Sequence, residues 1–112
     1  GPLEAEVMDA VWAARAPVTV RKVMGHLNEG RAEPLAYTTV MTVMSRLAEK
    51  GALARRQAGR GYEYEATAAD RAGIAVQNVI RTYGDEAMAH FVDQARGHPE
   101  LLRRMEQLLR ER

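Results

Sequence analysis

The sequence has no cysteine, which excludes disulfides, thiolate metal sites and cysteine nucleophiles together. Histidine is nearly as scarce, with His26, His90 and His98 scattered along the chain. No His-Glu-x-x-His helix or Gly-x-Ser-x-Gly elbow occurs, and Gly59-Arg60-Gly61 lacks the lysine and the length of a phosphate loop. An enzyme is therefore not expected, nor a metal or any other cofactor. No apolar run approaches the roughly 18 residues of a membrane span, and no opening segment has the charged, apolar and small-residue pattern of a secretion signal. A cytoplasmic protein without membrane insertion is the expectation. Aromatic residues are also few, but 46% hydrophobic and 28% charged content is ordinary for a folded soluble chain, so disorder is not expected.

With 112 residues there is room for one compact domain, or for a small head carrying a short assembly arm. The formal net charge of +1 conceals a segregation. Residues 46–60 hold Arg46, Lys50, Arg55, Arg56 and Arg60 against Glu49 alone, whereas residues 1–14 hold Glu4, Glu6 and Asp9 with no basic partner. One basic face on an otherwise neutral protein is the implied arrangement.

Periodicity divides the chain into short elements. Leu3, Val7, Ala10, Val11 and Ala14 form one apolar stripe on a first helix that Pro17 ends. Thr19 is placed to cap a second helix through Leu27, and Asn28-Glu29-Gly30 stops it. The loop through Pro34 is longer than that of a tight helix-turn-helix, so the sequence leaves the angle to the third helix open. That third helix covers residues 37–50, with Gly51 as its stop. Val40, Val43, Met44, Leu47 and Ala48 share its core face, and Thr38, Thr42, Ser45, Arg46 and Glu49 the opposite one. Residues 53–56 and 62–65 read as two strands joined by the loop 57–61. Three helices followed by a basic hairpin is the order of a winged helix, here spanning residues 1–66.

The remaining segment, 67–112, reads as a separate helical arm. Thr67-Ala-Ala-Asp70 resembles a capping box opening a fourth helix; Gly84-Asp85 starts a fifth and Gly97-His98-Pro99 precedes a sixth. Ile74, Val79 and Ile80, then Met88 and Phe91, then Leu101, Leu102, Met105, Leu108 and Leu109 form apolar stripes on these helices. Three short amphipathic helices cannot bury those stripes alone, so a second copy of the arm is the expected partner and these residues the expected dimer seam. The predicted fold is mainly α with a small β-hairpin: a winged helix-turn-helix head and a C-terminal three-helix dimerisation arm.

The outer face of the third helix suits a major-groove reader, because small hydroxyl side chains permit close approach and an arginine reaches guanine or phosphate. Tyr37, Thr38, Thr39 and Thr42 are the candidates for base-edge or phosphate contact, with Arg46 on the backbone. Arg60, between two glycines at the hairpin tip, is placed to follow the backbone or enter the minor groove. Arg55 and Arg56 point to opposite strand faces, so at most one faces DNA with the tip. Two other readings stay open: a winged helix that docks a protein, which would favour exposed Leu, Phe or Trp anchors, and a small ligand bound between the arm helices.

At this level the sequence resembles the BlaI/MecI penicillinase-repressor family. The resemblance lies in Leu35-Ala-Tyr-Thr-Thr-Val-Met-Thr-Val-Met-Ser-Arg-Leu-Ala-Glu-Lys-Gly51, in Leu3-Glu-Ala-Glu-Val-Met-Asp-Ala-Val-Trp12 and in Gly61-Tyr-Glu-Tyr64. Trp12 matches the family's first-helix aromatic, read as a core residue. The resemblance implies a cytoplasmic homodimer that blocks transcription at a palindromic operator. In the resistance branch it implies release by proteolysis of an Asn-Phe bond in the arm, triggered by a membrane-bound antibiotic sensor. The matching bond is His90-Phe91, with His in place of Asn. A copper-responsive branch carries a cysteine-rich tail, and this cysteine-free chain does not.

Overall fold

A computed structural model describes residues 1–111. They form six helices and one antiparallel hairpin: α1 (Pro2–Ala14), α2 (Val20–Asn28), α3 (Tyr37–Glu49), β1 (Leu53–Ala58), β2 (Gly61–Ala66), α4 (Arg71–Tyr83), α5 (Asp85–Gly97) and α6 (Pro99–Arg110). The chain divides into two compact units, Gly1–Ile74 and Ala75–Arg112. The first unit contains a winged helix followed by the start of α4, and the second is helical. No helix among the described residues is long and apolar enough to cross a membrane.

The head is built around one apolar cluster. Val7 and Val11 of α1, Val23 of α2, Val40 and Met44 of α3 and Tyr64 of β2 are each at most 3% exposed. Full burial of such side chains stabilises by about 1.5–3 kcal/mol each. The helix ends follow local chemistry. Helix α1 stops at Arg15, before Pro17, because Arg15 itself adopts the left-handed conformation (φ 55°, ψ 21°). Thr19 caps α2, its hydroxyl accepting the Lys22 N–H at 3.2 Å. Helix α3 closes in a Schellman motif: Gly51 (φ 82°) donates to the Ala48 carbonyl and Ala52 to the Leu47 carbonyl.

Asn28 does more than end α2. Its side-chain amide donates to the Leu35 carbonyl at 3.1 Å and accepts the Leu35 N–H at 2.7 Å. This reciprocal pair closes the long loop and sets where α3 begins. Arg31 of the same loop is tied to Glu6 of α1 at 3.0 Å.

The hairpin is longer and tighter than its sequence suggests. Gln57 and Ala58 continue β1, paired with Tyr62 and Gly61, so the expected five-residue loop contracts to a two-residue turn at Gly59-Arg60. Gly59 takes φ 61° while Arg60 keeps a negative φ, the pattern of a type II′ turn whose twist matches the flanking strands. A further bridge fixes the base of the hairpin. Val18, between α1 and α2, exchanges two backbone hydrogen bonds with Tyr64, at 2.9 and 2.8 Å.

The segment 67–70 is held from both ends. The Thr67 hydroxyl donates to the Gly51 carbonyl at 2.7 Å, and Asp70 caps α4 by accepting the Gly73 N–H at 2.9 Å. Glycine is required at position 73, where a Cβ would stand 2.7 Å from that of Ala68. Ile74, one of the residues expected in the dimer seam, packs against the head core. Trp12 is half-buried on the same edge, donating from Nε1 to the Ala68 carbonyl at 2.9 Å, with the Arg71 guanidinium 5.5 Å from its ring centre.

Within the second unit Ala87 and Ala95 of α5 are buried, while the larger apolar side chains are not. Val79 and Ile80 of α4, Met88 of α5 and Leu101, Leu102, Met105 and Leu108 of α6 are between 36% and 47% exposed, and Leu109 is 78% exposed.

Candidate nucleic-acid interface

Three head elements converge on one surface: the N-terminal turn of α2, the outer face of α3 and the hairpin. The burial of Val40, Met44 and Leu47 fixes the rotation of α3 and turns the opposite side outward. Thr38, Thr39, Thr42 and Arg46 are exposed there, and Tyr37 is exposed at the helix start. Arg60 occupies the second position of the hairpin turn. It shares with Tyr37 a groove of about 460 Å³, bounded by Arg21 of α2, Met41 of α3 and Tyr62 of β2. Of the residues singled out from sequence, the groove thus brings together Tyr37 and Arg60. Thr38, Thr39, Thr42 and Arg46 lie on the adjoining face of α3.

The structure sorts the basic residues of the 46–60 window. Lys50 is bound to Glu4, its Nζ 2.8 and 3.1 Å from the two carboxylate oxygens. That hydrogen bond is the main cause holding the Glu4 carboxyl below its ordinary pKa. Arg56 points away from α3 and pairs with Glu63 at 3.2 Å. Arg55 lies on the other strand face, the one that carries Leu53 and Tyr64 into the core. Its guanidinium is 4.7 Å from the centre of the Tyr62 ring and donates to the Ser45 hydroxyl of α3 at 3.5 Å. The Tyr64 phenol, the leading influence, raises its pKa further, so it stays charged. Among the described residues the side chains of Arg21, Arg46 and Arg60 make no ion pair or hydrogen bond. Uncommitted arginines therefore stand on α2, on α3 and at the hairpin tip, those of α2 and the tip lining the same groove.

Sequence reasoning missed Arg21, Met41 and Tyr62 as groove residues and left the choice between Arg55 and Arg56 open. The alternation of β2 placed Tyr62 and Tyr64 on one side. Recognising Tyr64 as the buried member would have assigned Arg55 to that side through its cross-strand pairing with Tyr64.

The model of the penicillinase repressor family matches residues 1–111. The chain belongs to this family. Two transcriptional regulators named BlaI, from Mycobacterium tuberculosis strains CDC 1551 and H37Rv, are similar to this chain, each 45% identical over 64 residues. The matched stretch is 57% of this chain and 45% of each relative, so it spans about half the length of the curated relatives it matches. The family is one of transcriptional regulators, not of enzymes.

The His90-Phe91 bond lies inside α5, with His90 exposed and Phe91 half-buried. Both residues border a groove of about 400 Å³ within the second unit, lined mainly by Val79, Tyr83, Ala87 and Gln94.

Proposed function

We propose that this protein represses transcription by binding a palindromic double-stranded DNA operator as a homodimer, in the cytoplasm. One observation carries the reading: α3 exposes a hydroxyl-lined face with the unpaired Arg46, and a groove beside the helix start brings the unpaired Arg21 and Arg60 to its flank. Thr38, Thr39 and Thr42 permit close approach to base edges, with Tyr37 at the helix start, while the arginines supply phosphate contacts. A protein-docking role is less well supported, because Leu, Phe and Trp anchors are missing from that face.

The arm supports the dimer. Exposed side chains such as Val79, Met88, Leu102 and Leu109, with half-buried Phe91, leave apolar area that a second arm would remove from water. Ile74 is already engaged by its own head, so the proposed seam runs through the other apolar arm residues. The domain roles follow as head and dimerisation arm, first drawn at 1–66 and 67–112.

Two heads joined through their arms bind two half-sites with an avidity about 10²–10⁴ above that of one head. A cut in the arm, at His90-Phe91 or nearby, abolishes that gain, and a membrane-bound sensor protease system is the partner this route calls for. Because the bond sits mid-helix, α5 must open locally before a protease can hold it in extended form. The groove beside the same two residues favours a second reading, release by a small ligand with the chain intact.

Footprinting of the purified protein on its own upstream region, combined with sedimentation, tests the core claim. Protection of two half-sites about one helical turn apart, or a multiple of it, by a dimer is the expected result. A monomer with no preference for any promoter fragment over random duplex refutes it. Mass spectrometry of the protein from induced cells separates the two release routes, since proteolysis yields arm fragments and ligand release does not.

A further inference from the structure

Met41 is 40% exposed on α3, although its neighbours on that side, Thr38, Thr42 and Ser45, all bear hydroxyls. It is the fifth residue of the helix, within the N-terminal half through which such helices read bases. At about 100° per residue it lies roughly 60° around the axis from the buried Met44, on the flank that carries Ser45. There it opens into the groove with Tyr37 and Tyr62, while Arg21 and Arg60 supply the groove's positive charge.

The chemistry of the neighbours leaves a gap in recognition. A hydroxyl accepts and donates, so Thr38 and Thr42 pair with more than one base edge and discriminate little. The thymine C5 methyl is the apolar group that a base pair presents in the major groove. A long, unbranched and polarizable thioether is suited to cover it. We infer that Met41 reads a thymine methyl group in each operator half-site. The inference rests on the operator-binding reading above and assigns a specificity role that the polar face alone does not supply.

The test uses the full chain and the operator found by footprinting, with each thymine of one half-site replaced in turn by deoxyuracil, which removes only the methyl. Wild type should lose about fourfold in affinity at one position, the transfer value of a single buried methyl. Met41→Ala and Met41→Gln should bind the unmodified operator about tenfold more weakly and become indifferent to that replacement. Met41→Leu should remain sensitive to it. Uniform insensitivity of the wild type to deoxyuracil overturns the inference. So does a fourfold loss that persists unchanged in Met41→Ala, which would assign the contact to a threonine methyl. In both cases operator preference survives and the operator reading stands; only a wild type that does not prefer its operator removes both. Met41 is exposed, so its substitutions should leave the melting temperature near that of wild type, and circular dichroism checks this.

Discussion

Replacing Asn28 with alanine removes both hydrogen bonds that bind the α2 terminus to the backbone of Leu35, at 3.1 and 2.7 Å. Each bond contributes a net 0.5–1.5 kcal/mol in typical cases, so the pair accounts for about 1–3 kcal/mol. For a domain of this size that corresponds to a fall in Tm on the order of 10 °C. The side chain is only half-buried, so part of the loss is recovered by water and the lower end of the range is the safer expectation. Operator affinity should fall further than the folded fraction explains, because the loop then no longer fixes where α3 begins. Asn28→Asp is the matched control. It keeps an acceptor for the Leu35 N–H but sets a carboxylate against the Leu35 carbonyl, and at neutral pH it should be at least as damaging as alanine. Thermal unfolding followed by circular dichroism, with operator titration below the transition, measures both effects. A Tm within about 2 °C of wild type for Asn28→Ala would refute the claim that this amide pair holds the loop.

Charging the apolar face of α6 with Leu102→Asp or Leu109→Asp should give monomers by sedimentation and a loss of most of the avidity of paired heads, about 10²–10⁴ in operator affinity. Arg46→Ala should weaken operator binding and lower the salt slope by about one unit, whereas Arg56→Ala, already neutralised by Glu63 on the far strand face, should leave the slope unchanged. Arg15→Gly relieves a left-handed residue at the end of α1 (φ 55°) and should raise stability by about 0.5–1 kcal/mol, read as a higher denaturant midpoint.

The elements visible in the sequence were those governed by nearest-neighbour chemistry. Thr19 capped α2 as its position implied, Gly51 stopped α3, and the 3.6-residue period of Val40, Met44 and Leu47 located the outer face of α3. The hairpin was legible as two strands but not in extent, since Gln57 and Ala58 have little strand propensity and are recruited by pairing with Tyr62 and Gly61. Contacts between distant positions were not legible. Val18 with Tyr64, Thr67 with Gly51 and Lys50 with Glu4 depend on the assembled fold, and no local pattern encodes them. The same limit explains the candidate site. Its helical face could be read directly, whereas the groove that unites Arg21, Met41 and Tyr62 exists only once α2, α3 and the hairpin have come together. At the start of α4 the sequence located the capping segment, and the structure adds that the Asp70 carboxylate accepts the Gly73 N–H while the Thr67 hydroxyl donates to the carbonyl of Gly51.

Trp12 is the chain's single tryptophan, and its indole N–H is spent on the carbonyl of Ala68 while a guanidinium covers its ring. The protein thereby carries an intrinsic fluorophore at the seam where α1 meets the segment leading into α4. Any event that peels residues 68–71 away from α1 frees the indole and uncovers its ring. Emission wavelength and quenching thus report that detachment in solution without an added label.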